Sequence, residues 1–172
     1  RIARFRTNGT PVDFRPGTNW FGIFGINSNQ MMSPSGIAVG PSNSVWIADT
    51  YNHAVKAFRS NGQFVRRIGA MGPGPSQFIF PKGIAFGYDA FRNYPVVYVA
   101  DTENGSVKRF RTTGAFESVV AGFGNIPGRF LAPKKVALAG NGTLYVPDSL
   151  MGRVQKLDVG TFIRDVKVSN AM

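Results

Sequence analysis

Val97-Tyr98-Val99-Ala100-Asp101-Thr102-Glu103-Asn104, followed by Val107-Lys108-Arg109-Phe110-Arg111 and Gly114, is the stretch on which the fold turns. β-Branched and aromatic residues flank a short polar turn, which reads as two strands joined by a tight connection. Upstream, Pro81-Lys82-Gly83-Ile84-Ala85-Phe86 reads as a preceding strand, and residues 115–121 read as a fourth. The predicted strands of this unit are 83–87, 95–100, 106–111 and 115–121, and no segment longer than eight residues shows a helical period.

The same template recurs on both sides. Pro34-Ser35-Gly36-Ile37-Ala38-Val39, Val45-Trp46-Ile47-Ala48-Asp49-Thr50-Tyr51-Asn52 and Val55-Lys56-Ala57-Phe58-Arg59 form the first full copy. Pro133-Lys134-Lys135-Val136-Ala137-Leu138, Leu144-Tyr145-Val146-Pro147-Asp148-Ser149 and Val154-Gln155-Lys156-Leu157 form the third. The opening prolines lie 47 and then 52 residues apart, the aspartates 52 and then 47. That reversal places an insertion of about five residues in the middle copy, within 88–95. A partial copy, Ile2 to Gly9, echoes Val55 to Gly62. Four short strands repeating every ~40–50 residues predict an all-β protein: a β-propeller of four-stranded antiparallel blades, about three and a half of them present. The expected division is residues 1–33 for a partial blade and connection, then blades at 34–80, 81–132 and 133–172.

The strings Pro-x-Gly-Ile-Ala, Val-Tyr-Val-Ala-Asp-Thr-x-Asn and Val-Lys-x-Phe resemble NHL repeats. The first two full copies match closely; the third carries Lys135 for Gly, Pro147 for Ala and Met151 for Asn. The resemblance implies a ring that usually closes with six blades, about 270 residues at this repeat length. The 172 residues present therefore predict an incomplete ring, either a piece of a longer chain or a subunit that needs further blades or another copy to close. An open ring would bare the apolar faces of its end blades.

The 20 Lys and Arg against 9 Asp and Glu give a net charge of +11, which suits an acidic partner or simply keeps the surface soluble. The absence of cysteine excludes disulfides, thiol catalysis and Cys-ligated metal. The longest apolar run, 96–100, is far short of the ~20 residues of a membrane span. Met71-Gly72-Pro73-Gly74-Pro75 reads as an inter-blade loop and lacks the Lys-Ser/Thr ending of a phosphate loop. No cofactor is expected.

Asp49, Asp101 and Asp148 recur once per copy, ahead of a turn whose backbone N–H groups a short carboxylate can accept. They are expected to be structural turn residues, together with Thr50, Thr102 and Ser149, rather than a ring of catalytic or metal-binding carboxylates. His53, the lone histidine, is expected at a strand edge, and no triad or metal set accompanies it. Arg6, Arg59 and Arg111, and likewise Lys56 and Lys108, align on the third strand, where a solvated outer belt is expected, with Asp158 breaking the arginine series.

The candidate partner-binding residues fall in two groups. Lys82 and Lys134 begin the first strand, Lys135 follows, and together they would make a positive collar suited to phosphate or carboxylate. Tyr88, Phe91, Arg92 and Tyr94 sit in the insertion, which could anchor a protein or stack on bases. The expected function is a non-catalytic interaction scaffold or structural subunit of a larger protein assembly. The alternatives are RNA or polyanion binding on the basic rim, and a part of a peptidyl-hydroxyglycine lyase-like metalloenzyme with its site elsewhere. In that enzyme branch the resemblance implies zinc-binding histidines after the opening prolines of certain blades, where this sequence has Ser35, Lys82 and Lys134.

Overall fold

In a computed structural model, residues 1–89 and 91–162 are described. The chain forms strands β1 (Ile2–Ala3), β2 (Trp20–Phe21), β3 (Ile23–Phe24), β4 (Gln30–Met31), β5 (Pro34–Val39), β6 (Val45–Asp49), β7 (Ala54–Phe58) and β8 (Phe64–Ile68). They continue with β9 (Pro81–Asp89), β10 (Tyr94–Asp101), β11 (Ser106–Arg111), β12 (Phe116–Ala121), β13 (Ala137–Leu138), β14 (Thr143–Asp148), β15 (Arg153–Asp158) and β16 (Thr161–Phe162). Strands β5–β8 form the first full blade as an antiparallel meander, β9–β12 the second and β13–β15 the third. The pair β1–β2 stands for the outer strands of the partial blade. The molecule is a β-propeller whose described sheets do not close into a ring.

Each blade follows from its sequence period. Alternating side chains on a pleated strand point to opposite faces, and here both faces are apolar because each is covered by a neighbouring sheet. Trp46, Val55 and Ala57 of the first blade pack on Ile84, Val97, Val99 and Phe110 of the second. On the far side of the second blade, Tyr98, Val107 and Ala121 pack on Val136, Leu144 and Val146 of the third. Phe14, Phe21 and Met31 cover Val45, Ile47 and Phe58.

The inner strands approach closely enough to require glycine. A Cβ at Gly36 would lie 2.4 Å from the Lys82 carbonyl oxygen, and one at Gly83 would lie 2.6 Å from Lys135 Cα. Thr50 and Thr102 complete the same seams, donating at 2.9 and 2.8 Å to the carbonyls of Pro81 and Pro133 on the next blade. In the third blade Lys135 occupies the glycine position, and Ser149 turns back to its own Ala132 carbonyl at 3.2 Å. The faces beyond the described blades are bare. Tyr145 is 39% exposed where Tyr98 is 0%, and Ile37 and Val39 are exposed where Ile84 is buried.

Two expectations change. The insertion, expected between strands 83–87 and 95–100, instead prolongs β9 and β10 into a longer hairpin, with Asp89 paired to Tyr94. The third blade shows three strands among the described residues. Thr161 and Phe162 pair with Asp89 and Tyr88 along the inner edge of the prolonged β9. The rest of the stretch expected as 133–172 lies outside the described residues beyond 162.

Gly83→Ala should lower stability by about 1–3 kcal/mol through overpacking against a neighbouring backbone. Gly140→Ala, with nothing within 4 Å, should change it by less than about 0.5 kcal/mol. Denaturant unfolding of the two variants checks this; equal effects would contradict the tight seam.

Candidate functional site

The recurrent aspartates lie at the ends of β6, β10 and β14, and all are buried. Asp101 Oδ1 accepts the Ile79 N–H at 2.7 Å, while Oδ2 accepts from Asn104 at 2.7 Å and pairs with Lys108 Nζ at 2.7 Å. Lys108 spends its other two protons on the carbonyls of Gly74 and Gln77, at 2.9 and 2.7 Å. An ammonium has three donors, so it is saturated. The first blade repeats this. Asp49 takes the Met32 N–H at 2.7 Å, Asn52 at 2.7 Å and Lys56 at 2.9 Å, and Lys56 also holds the Asn27 and Gln30 carbonyls.

These aspartates therefore clamp the loop that precedes their blade, and Asp49 and Asp101 also hold the turn that follows them through the Asn52 and Asn104 side chains. The expectation of a solvated belt fails for Lys56 and Lys108, which are 0% and 2% exposed. Their charge is drawn inward because three carbonyl and carboxylate acceptors wait there; Arg6, Arg59 and Arg111 are exposed. In the third blade Gln155 stands at the lysine position and Met151 at the asparagine position. Arg153 reaches the carbonyls of Ile126 and Arg129 at 3.1 and 2.9 Å and approaches Asp148 at 4.0 Å, and Gln155 binds the Arg129 carbonyl and the Gly128 N–H. Asp148 accepts Leu131 and Ala132 N–H groups, both at 3.0 Å. Burial raises the Asp101 carboxyl above its ordinary pKa, against the opposing pull of Lys108, Asn104 and the Ile79 N–H.

His53 is half-buried at a left-handed turn position, its ring 4.5 Å from that of Phe80 and its Nδ1 accepting the Phe80 N–H at 3.2 Å. Among the described residues no group of three or more His, Asp or Glu side chains could hold a metal ion.

The two candidate groups lie at opposite ends of the blade. Asp101 pairs with Pro81 at one end of the β9–β10 ladder, and Tyr94 with Asp89 at the other. The seven residue steps from Lys82 to Asp89 span about 23 Å of strand, so the lysines and the insertion do not form one surface. Lys82 is half-buried, while Lys134 and Lys135 are exposed, and Lys135 Nζ reaches the Ser35 carbonyl at 3.1 Å.

At the other end a charged network braces the hairpin. Arg109 bonds Asp89 and, at 2.7 Å, Glu117, which also accepts from Tyr94 Oη and from Arg111 at 2.9 Å. Asp89 Oδ1 accepts the Phe91 and Arg92 N–H groups at 3.0 and 2.8 Å. Arg92 donates to Tyr94 Oη at 3.2 Å. Tyr94 is thus committed inside the cluster and Tyr88 lies half-buried on β9, whereas Phe91 is 94% exposed. Asp89, Phe91, Arg92, Arg109, Glu117 and Ser118 line an open cavity of about 460 Å³.

Burial alone would raise both carboxyls of this network. For Asp89 the Arg92 N–H and the Arg109 guanidinium outweigh it, and for Glu117 the Tyr94 hydroxyl and the two arginines do so, leaving both below the ordinary range. Sequence reasoning missed the clamp lysines, Arg109 and Glu117. The available signal was the constant seven-residue spacing of Asp49–Lys56 and Asp101–Lys108.

A carboxyl lowered by folding stabilises the fold above its unfolded pKa of about 4, and that contribution is lost as pH falls through the folded value. Asp101, raised by burial, acts in the opposite sense. Protection of the Phe91 and Arg92 amides against hydrogen exchange should therefore hold down to about pH 4 and fall as the pH is taken below it. Unchanged protection factors would contradict the bracing role.

With the geometry in place, comparisons with known proteins identify its kin. The family model for the NHL repeat matches residues 31–58, which contain β5, β6, β7 and the Asp49–Asn52–Lys56 clamp. The chain is 38% identical over 65 residues to the protein brain tumor of Drosophila melanogaster, covering 38% of this chain and 6% of that protein. It is 36% identical over 90 residues to NHL repeat-containing protein 2 of Bos taurus, covering 48% of this chain and 12% of that protein. The matched segments are thus a small part of these relatives' lengths.

Among solved structures, a Bacteroides thetaiotaomicron protein aligns with a TM-score of 0.64 at 16% identity, over 92% of this chain and 41% of that one. Virginiamycin B lyase of Staphylococcus aureus aligns with a TM-score of 0.53 at 15% identity, over 77% of this chain and 43% of that one. At such identities the likeness shows the fold alone.

Proposed function

We infer that this chain, which carries the NHL repeat, works as a non-catalytic interaction scaffold, a rigid stack of blades that displays its two rims to protein partners. The observation that supports it most is how the buried ionisable groups are spent. Asp49 and Asp101 are each matched to a lysine, an asparagine and a backbone amide, and Asp148 to two amides. Carboxylates so placed hold loops in position and, being buried, face no solvent for acid–base work. The expected lyase-like alternative draws no support from Ser35, Lys82 and Lys134, whose side chains offer no imidazole.

A second reading, RNA or another polyanion as cargo, is favoured by one feature. Lys134 and Lys135 are exposed side by side at the start of the third blade, on the rim that also carries Lys82. The exposed ring of Tyr51 stands at that end of the blades, packed on Phe80 at 5.2 Å, and by itself does not make the run of rings on which readers of single strands stack bases.

Binding to fluorescent single-stranded RNA across a salt series separates the two. With a net charge of +11, weak binding at low salt is expected in either case. The scaffold reading predicts that it vanishes near physiological salt and is indifferent to Lys134→Ala and Lys135→Ala beyond the loss of charge. Binding that persists there and drops at least tenfold on either substitution would establish the RNA reading instead.

A further inference from the structure

The prolonged hairpin belongs to the middle blade alone. Strands β9 and β10 have nine and eight residues, against six and five for β5 and β6. The residues that brace it are those at which the middle repeat departs from its neighbour. Arg109 stands where the first blade has Ala57, and Glu117 where it has Val65. Insertion and strand substitutions meet in one network, in which Arg109 joins Asp89 to Glu117 and Glu117 receives the Tyr94 hydroxyl. A hairpin held by this many charge-assisted bonds presents its tip at low conformational cost on binding.

The charges at this end are sorted by depth. The side chains of Asp89 and Glu117 are 9% and 8% exposed, while those of Arg92 and Arg111 are 63% and 49% exposed. The two carboxylates and the 14% exposed Arg109 form the floor, and the guanidiniums of Arg92 and Arg111 the outer surface. Beside them Phe91 stands almost wholly in water, at the edge of the cavity. An exposed aromatic next to an exposed arginine on a rigid support is the composition of an interface anchor.

We propose that the tip of this hairpin docks a short acidic protein segment, with an apolar side chain covering Phe91 and a carboxylate paired to Arg92 and Arg111. The inference rests on the scaffold reading and names its surface and the chemistry of its partner. Arginine forks match a carboxylate bidentately. The buried Asp89 and Glu117 repel an anion that goes deeper, so the ligand's charge stays at the outer edge and its apolar residue enters. A nucleic acid strand fits less well. Phe91 is a single platform, and the ring of Tyr94 already carries Arg111 at 4.6 Å.

The test pans a random peptide display library against the whole chain and measures the recovered peptides in synthetic form. Asp or Glu residues flanking a Trp, Phe or Leu should be enriched. Affinity should fall at least tenfold in Phe91→Ala and in Arg92→Ala, both exposed positions whose variants should keep the parent's thermal melt. Lys134→Ala and Lys135→Ala, on the other rim, should leave it unchanged. Peptides that bind the two hairpin variants as tightly as the parent would overturn this surface while leaving the scaffold reading standing. No recovery, recovery of peptides without acidic residues, or polyuridylate that displaces them and itself depends on Phe91, would overturn the acidic segment as the occupant.

Discussion

The ion pair between Asp101 and Lys108, repeated by Asp49 and Lys56, organises everything else. Each pair joins the end of the second strand to the third strand of one blade, and its remaining bonds seize the loop arriving from the blade before. Burying two ions costs several kcal/mol each, which only a complete set of partners offsets. Here the set is complete: three acceptors around each ammonium and three donors on each carboxylate. Such a pair contributes less to net stability than to uniqueness, because any slip of register would strand a charge in the core. The third blade reaches the same end by other residues, with Arg153 and Gln155 dividing the work of one lysine.

With loops so held, the inner strands can approach until only glycine fits at positions 36 and 83, and the apolar sheets close over one another. The two rims then differ in kind. One is consumed by clamps and seams, with Lys134 and Lys135 side by side among its exposed charges. The other carries the one feature outside the repeat pattern, a braced hairpin with its acids covered and its arginines and Phe91 outside. The two lie a strand length apart, so the basic character of the chain does not act as one field.

Much of this was legible in the residues. The Pro-x-Gly, Asp-Thr-x-Asn and Val-Lys periods place the strands to within two or three residues, and the 47 and 52 residue spacings locate the insertion. The fate of the lysines was not legible by the usual rule that lysine seeks water. Lys56 alternates correctly for an inward position, but only the loop carbonyls from 26 to 29 residues upstream explain why it goes there. Likewise, nothing local to Glu117 announces Tyr94, which reaches it across the intervening β11, and the separation of Lys82 from Phe91 depends on the strand register. Contacts set by register and by neighbouring blades escape a reading that proceeds along the chain.

The direct test of the central claim is a double-mutant cycle on Asp101→Asn and Lys108→Met, followed by denaturant unfolding. If the clamp is what sets the blade on its loop, each single change should cost about 3–5 kcal/mol by leaving its partner uncompensated. The double variant should then cost less than their sum by about 1.5 kcal/mol or more. Additive losses below about 1 kcal/mol each would show that the pair is incidental to the fold.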